Sequence, residues 1–160
     1  MQLVQAPSSS ASDVAVRTCA AGDLSAKQTG SGAGMSQPFV VITLTNTSGT
    51  ACALDGYPAI TGMWTKHARK TVHVTRGNLG NMTDPGVSRF VVAPGGHAWF
   101  AVGAATAYDP PVVTFRRVVF SVGAGPSVVA KVQLEATAPR GKAFPIGVTA
   151  FAPGRGEADA

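Results

Sequence analysis

The chain has 160 residues, enough for one domain with a real core and short for two. Hydrophobic residues make up an ordinary 45%, but charged residues only 13%, about half the usual ~25%, and 19 glycines and 11 prolines punctuate the chain, a balance that excludes a mainly helical protein and suits short strands with many corners. The formal net charge is +5 with a pI near 9.7, yet the 13 lysines and arginines are scattered without a basic run, so the charge reads as a solubility feature and no nucleic-acid partner is expected.

Residues 1–12 read as a flexible tail. They contain neither a basic region nor an apolar stretch of the kind an export signal needs, but Ala6 to Ser12 looks like the Ala/Pro/Ser-rich tether that follows a removed one, so a mature, exported fragment is expected. No run of 18 apolar residues occurs, and no transmembrane segment is expected. A single domain is expected over 13–153, with a second tail over 154–160.

Val14 and Val16 alternate in a first predicted strand, Asp13 to Cys19, and Leu24 to Thr29 alternate weakly in a second. Gly30 to Gly34 (GSGAG) reads as a loop; it is not a phosphate cradle, because no Lys-Ser/Thr pair completes one and no helix follows. Phe39 to Ile60 is the most patterned stretch. Val40, Ile42 and Leu44 share one parity and Thr43 and Thr45 the other, the period of a strand with an apolar inner face. Asn46 to Thr50 supplies a turn through residues that accept positive φ. Cys52 and Leu54 continue inward, and Asp55-Gly56-Tyr57-Pro58 makes a corner, with Tyr57 biased to extended geometry by the proline after it.

Trp64 to Arg69 reads as a polar loop, and Lys70 to Arg76 as a strand with Val72 and Val74 inward and His73 outward. Residues 77–86 form a long Gly/Asn/Pro/Asp loop. Strands are expected at Arg89 to Ala93, His97 to Gly103, Phe115 to Val122, Val128 to Ala136 and around Phe144, Ile146 and Val148, with sharp turns at Pro94-Gly95-Gly96 and Tyr108 to Pro111. Val128, Ala130, Val132 and Leu134 should point in, and Trp99 should be a core residue. Eight to ten short strands of this kind predict an all-β, antiparallel, immunoglobulin-like β-sandwich, with a closed barrel as the alternative.

The two cysteines, Cys19 and Cys52, leave two readings open. In an exported chain they would pair, closing a loop of about 34 residues worth about 3.8 kcal/mol on chain-entropy grounds; in a reducing compartment they would be buried thiols. Pairing meets one geometric conflict. If Val14 and Val16 point inward, strict alternation turns Cys19 outward, so a bond to an inward Cys52 needs a bulge or a strand end near Thr18. Cys19 is not a lipid-attachment cysteine, because Val16-Arg17-Thr18 is too polar and bulky for that processing site.

The pattern of Cys19 and Leu24, then Phe39 to Asn46 ending in Thr-Asn, then Cys52-Ala53-Leu54 and Gly56-Tyr57-Pro58, resembles a family of actinobacterial secreted proteins and lipoproteins known only as a domain of unknown function. Val92 to Ala98, with its Pro-Gly turn before a strand, resembles the same family, and the likeness covers roughly Cys19 to Phe151. The resemblance implies export, a Cys19–Cys52 disulfide and an immunoglobulin-like sandwich, and it implies no activity. The chain departs from the family in lacking a second cysteine pair and in its unusually basic and aromatic segment Thr61 to Lys70.

Little in the sequence points to catalysis. No GxSxG elbow is present, and the acidic residues stand singly in turns, tails or strand faces, so a non-enzymatic protein is expected. His67, His73 and His97, with Met63 and Met82 near two of them, admit a copper- or zinc-binding reading, but no HxH and no Met-rich repeat supports it, and neither a metal site nor any other cofactor is expected. The candidate binding residues are Trp64, Lys66, Arg69 and Lys70, beside the loop at 77–86. Trp64 could stack on a sugar or a partner's side chain with Arg69 alongside, or fold back as a plug over one end of the sandwich. The expected role is an exported domain that binds a protein or a cell-envelope component through loop and edge surfaces.

Overall fold

The computed structural model describes residues 16–34, 36–79, 82–123 and 125–156. Among them are twelve strands: β1 (Leu24–Gly32), β2 (Phe39–Asn46), β3 (Cys52–Asp55), β4 (Ala59–Trp64), β5 (Arg69–Lys70), β6 (Val72–Arg76), β7 (Arg89–Val92), β8 (His97–Gly103), β9 (Val113–Ser121), β10 (Val128–Ala136), β11 (Phe144–Val148) and β12 (Ala152–Pro153). They form open, mostly antiparallel sheets in a sandwich-like arrangement. One sheet runs β1-β2-β8-β11-β6, with β12 beside β8; the other runs β10-β9-β4-β5; β3 and β7 make a separate two-stranded ribbon. The β11–β6 pair is parallel.

The main core lies between the sheets. Val40, Ile42 and Leu44 of β2 and Phe100 of β8 face Phe115, Val118 and Phe120 of β9 and Val132 and Leu134 of β10. Phe100 meets Phe120 edge-on at 4.8 Å and Phe151 at 5.6 Å, the arrangement that aromatic quadrupoles favour. The expected inward set on β10 is found, with Val128, Ala130, Val132 and Leu134 buried and Lys131, Gln133 and Glu135 exposed.

Several elements depart from strict alternation, each for a local reason. β2 is buried on both faces, because the chain covers its outer side as well. Phe39, Val41, Leu79 and Ala101 form a second, smaller core there. Trp99 belongs to this outer side, not to the main core as its sequence neighbours suggested: Ala98 and Phe100 take the inner parity, and Trp99 is half-buried against the second cluster. β1 runs on through Gly30, Ser31 and Gly32, which pair with Val41, Val40 and Phe39 after a register shift, so within the predicted loop only Ala33 and Gly34 lie outside the strand. The stretch Lys70 to Arg76 is two strands in two sheets, since Lys70 pairs with Met63 while Val72 begins β6 beside β11. β4 was not foreseen; the glycine in AITGMW and a register shift at Ile60/Gly62 blur its period.

Around the cysteines, the predicted strand Asp13 to Cys19 reduces to a single bridge, Thr18 to Ala53, with residues 13–15 outside the described part. The chain turns away at once through a 3-10 turn, Ala21–Asp23. This end of pairing at Thr18 lets Cys19 face inward and bond Cys52, with both cysteines buried and Cα atoms 4.8 Å apart. The Arg17 guanidinium closes the same corner, donating to Asp23 at 2.6 Å and to Thr50 Oγ1 at 2.7 Å. Asn46 ends β2 without a positive φ. Its buried amide donates to Thr50 O at 2.9 Å and Val92 O at 3.0 Å and accepts from the Ser48 N–H and hydroxyl, so every polar site it carries is used. Asn46 also heads one of two Asn-x-Ser/Thr triplets, and this bonding leaves it no free amide for a glycan.

Candidate functional site

The four-stranded sheet turns one face inward to the core and the other to solvent. On the solvent face, register places four side chains from four different strands in one row. Trp64 of β4 is opposite Arg69 of β5 on one side and Arg117 of β9 on the other. Arg117 is in turn opposite Lys131 of β10. Adjacent strands lie about 4.8 Å apart, so the row is about 14 Å long and crosses the strands at right angles.

Trp64 is half-buried, with its ring laid back over Gly62; a Cβ on that glycine would sit 2.6 Å from the ring. The glycine is therefore the bed of the indole, a close approach that no other residue permits. The Arg69 and Arg117 guanidinium groups lie 5.4 and 5.1 Å from the ring centroid, within cation–π range. Arg69 is also fixed by donating to Thr61 O at 2.7 Å. Trp64 thus stands within a cationic strip on the sheet face.

Beside the strip, at the tip of the β4–β5 hairpin, lies a groove of 350 Å³ lined among others by Lys66, His67, Lys70 and Arg116; Lys70 pairs with the buried Met63 and so takes the other face of β5 from Arg69. Arg116 joins because the β9–β10 pairing slips between Lys131 and Leu134, and at that irregularity both Arg116 and Arg117 are exposed. The four strands of this sheet carry Arg69, Lys70, Arg116, Arg117 and Lys131 against one acid, Glu135. Among the described residues the one ion pair is Arg17–Asp23, at the disulfide corner, so none of these five cations has a carboxylate partner among them.

The structure therefore brings Trp64 and Arg69 together and sets Lys66 and Lys70 in the adjoining groove. Arg116, Arg117 and Lys131 were missed by sequence reasoning. They lie some fifty or more positions downstream, and the one local hint was the Arg-Arg doublet inside an otherwise apolar strand.

The loop at 77–86, as far as it is described, does not join this face. It is tied to the corner at Tyr57: the Tyr57 hydroxyl donates to Asp84, whose other oxygen accepts from Ala150 N at 3.0 Å and Gly86 N at 3.1 Å. Burial pushes the Asp84 carboxyl up, but these three donors outweigh it and hold it below the usual carboxylate range. The same bond to Asp84 raises the Tyr57 phenol, which stays protonated at neutral pH. Arg76 lies 4.9 Å over the Tyr57 ring.

The three histidines line three separate grooves, His67 at the hairpin tip, His73 beside Asn78 and Gly147, and His97 beside Thr45. Met63 is fully buried in the main core, and Met82 packs on the second cluster. Among the described residues no three His, Cys, Asp or Glu side chains group closely enough to hold a metal ion. Thr45 Oγ1 and His97 Nδ1 are 3.1 Å apart, a hydroxyl–imidazole pair, but among the described residues the groove around them holds Lys27 and Arg155 and no carboxylate to orient the ring. No helix among the described residues is long and apolar enough to cross a membrane.

Neither the curated proteins nor the solved structures compared with this chain give a match. One family model spans residues 19–152, beginning at the disulfide's first cysteine and ending in β12, so it takes in both sheets and the ribbon. With the larger part of its length matched, the chain belongs to the family described as a Domain of unknown function (DUF4232).

Proposed function

We propose that this is an exported, non-enzymatic, immunoglobulin-like β-sandwich domain that binds a protein or a cell-envelope component through the outer face of its four-stranded sheet. The observation that carries the reading is the in-register row Arg69–Trp64–Arg117–Lys131, an aromatic side chain set among cations without acidic partners in the described structure. Structural charges tend to be paired or dispersed; a row of one sign on a rigid sheet raises the local concentration of an oppositely charged partner. The buried Cys19–Cys52 disulfide supports export, since such bonds persist in oxidising compartments. Grooves without a nucleophile, base and orienting acid in one place favour binding over catalysis.

The test is capture by a sedimented cell-envelope fraction. Trp64→Ala and Arg69→Ala should each weaken capture while leaving the melting temperature within about 3 °C of the parent. Unchanged capture sinks the assignment of this face. A large stability loss in Trp64→Ala would return the indole to a structural plug.

A further inference from the structure

We propose that the partner is a linear, phosphate-bearing polyanion that lies across the strands of the four-stranded sheet, met by Arg69, Arg117 and Lys131 along the row and by Arg116 and Lys66 at the neighbouring hairpin tip. The inference rests on the binding reading above and names the ligand class for that face.

Three observations select this class. The first is direction. The row follows register, not chain, so its charges succeed one another across β5, β4, β9 and β10. A ligand that satisfies them must be extended over about 14 Å and carry charge at several points along its length. A single anion would need convergent donors, and these are set out in a line.

The second is that the surface is a sheet face. An acidic peptide gains most of its affinity by adding a strand to a free edge, where backbone N–H and C=O groups are available. β4 and β9, at the middle of the row, are paired on each side, and although β5 and β10 are the edges of the sheet, a ligand that runs across the strands lies perpendicular to those edges and meets side chains. Recognition by side chains alone suits a polymer whose charge sits in its own backbone and whose repeating units need no individual pockets.

The third is preparation of the donors. Guanidinium groups meet phosphate oxygens through two parallel hydrogen bonds. Arg69 is held by Thr61 O at 2.7 Å, and both Arg69 and Arg117 rest at the indole, which is itself seated on Gly62. Less side-chain freedom remains to be lost on binding than for free surface arginines. Glu135, four residues along β10 from Lys131, is the one acid on these strands; it pairs with Thr114 of the hairpin-tip groove, so the row itself holds no acid.

The probe is inorganic polyphosphate, titrated calorimetrically into the folded, oxidised protein at several salt concentrations, with poly-glutamate and a neutral dextran as comparators. Polyphosphate should bind with an affinity that falls as salt rises, and dextran should not bind. Arg69→Gln/Arg117→Gln should bind roughly tenfold more weakly, with a salt slope shallower by about two. Arg140→Gln/Lys142→Gln, which removes the same charge from exposed positions elsewhere, should bind as the parent does. An equal loss in both double variants means that only net charge attracts the polymer, and overturns the site. Tighter binding of poly-glutamate than of polyphosphate overturns the ligand class in favour of an acidic protein partner. Envelope capture that depends on Trp64 and Arg69 without polyphosphate binding rejects this inference and leaves the binding face intact, whereas absence of both rejects the two together.

Discussion

Asn46 shows how a single residue can carry a corner of the fold. Read along the chain it belongs to a polar turn, Asn-Thr-Ser-Gly-Thr, and the turn reading is correct in place but wrong in mechanism. The side chain is buried and bridges the loop before Cys52 to Val92 O at the end of β7, a contact with a residue 46 positions away. Asn46→Asp should be strongly destabilising at neutral pH, by about 3 kcal/mol or more, because it faces a carboxylate oxygen towards two carbonyls and removes both donors; thermal unfolding measures it. Asp84 makes a second test at this scale. Its carboxyl is held below its unfolded value, so its contribution is present at neutral pH and is lost as pH falls through the folded value, below about 4. The melting temperature of Asp84→Asn should therefore lie below that of the parent at pH 7, and the gap should narrow as the pH is taken below about 4. A gap that widens on acidification would contradict the assignment. Asp23, lowered by the Arg17 side chain and the Ala20 N–H, has the same sign and remains in both proteins, so it shifts both curves together.

At the level of elements, the parts legible in the sequence were the strands with one buried face. β10 alternates cleanly because its outer side meets only solvent. Legibility failed where the outer side is covered. β2 is flanked by β1 and β8 and overlaid on its far face, so its second parity, Phe39, Val41 and Thr43, is buried too. Gly156 O accepts from the Thr43 hydroxyl there, and the backbone of Gly156 packs on Trp99, so residues 154–156, read from sequence as the start of a tail, lie across this sheet. From the loop at 77–86, Leu79 and Met82 pack on the same side. Leu79 fits a notch made by two glycines paired across strands, Gly103 of β8 and Gly147 of β11; a Cβ on Gly147 would come within 2.4 Å of Leu79 Cδ2. Nothing local announces that pairing of a loop leucine with two distant glycines. Leu79→Ala should cost about 2 kcal/mol, the low end for a buried leucine, and should speed amide exchange at Leu79 and Met82, which bond each other's carbonyls. Exchange unchanged at those two amides would mean that the leucine does not hold the loop.

On the scale of the whole molecule, two features separate scaffold from surface. The disulfide anchors the end of the described N-terminal segment to the β3–β7 ribbon, and its loop of 33 residues in separation implies about 3.8 kcal/mol of stabilisation. Replacing both cysteines by alanine should lower the melting temperature by roughly 10 °C, as read by calorimetry on parent and variant. A drop of only a degree or two would mean that the ribbon holds without the bond. Charge is the second feature. Scattered along the chain, the lysines and arginines form no basic run, and the sequence offers candidate binding residues only in the segment Trp64 to Lys70, beside the loop at 77–86. Folding gathers Arg116, Arg117 and Lys131 around that segment through the β4–β9 and β9–β10 pairings, an adjacency fixed by register and invisible to linear spacing.

The central claim is that this face, and no other basic part of the molecule, engages the envelope partner. Its most direct test compares capture on sedimented envelope by three proteins of equal melting temperature: the parent, Arg69→Gln/Arg117→Gln, and Arg140→Gln/Lys142→Gln. The expected result is a roughly tenfold loss of capture in the first double variant and parental capture in the second. Equal capture by all three, or an equal loss in both variants, would contradict it.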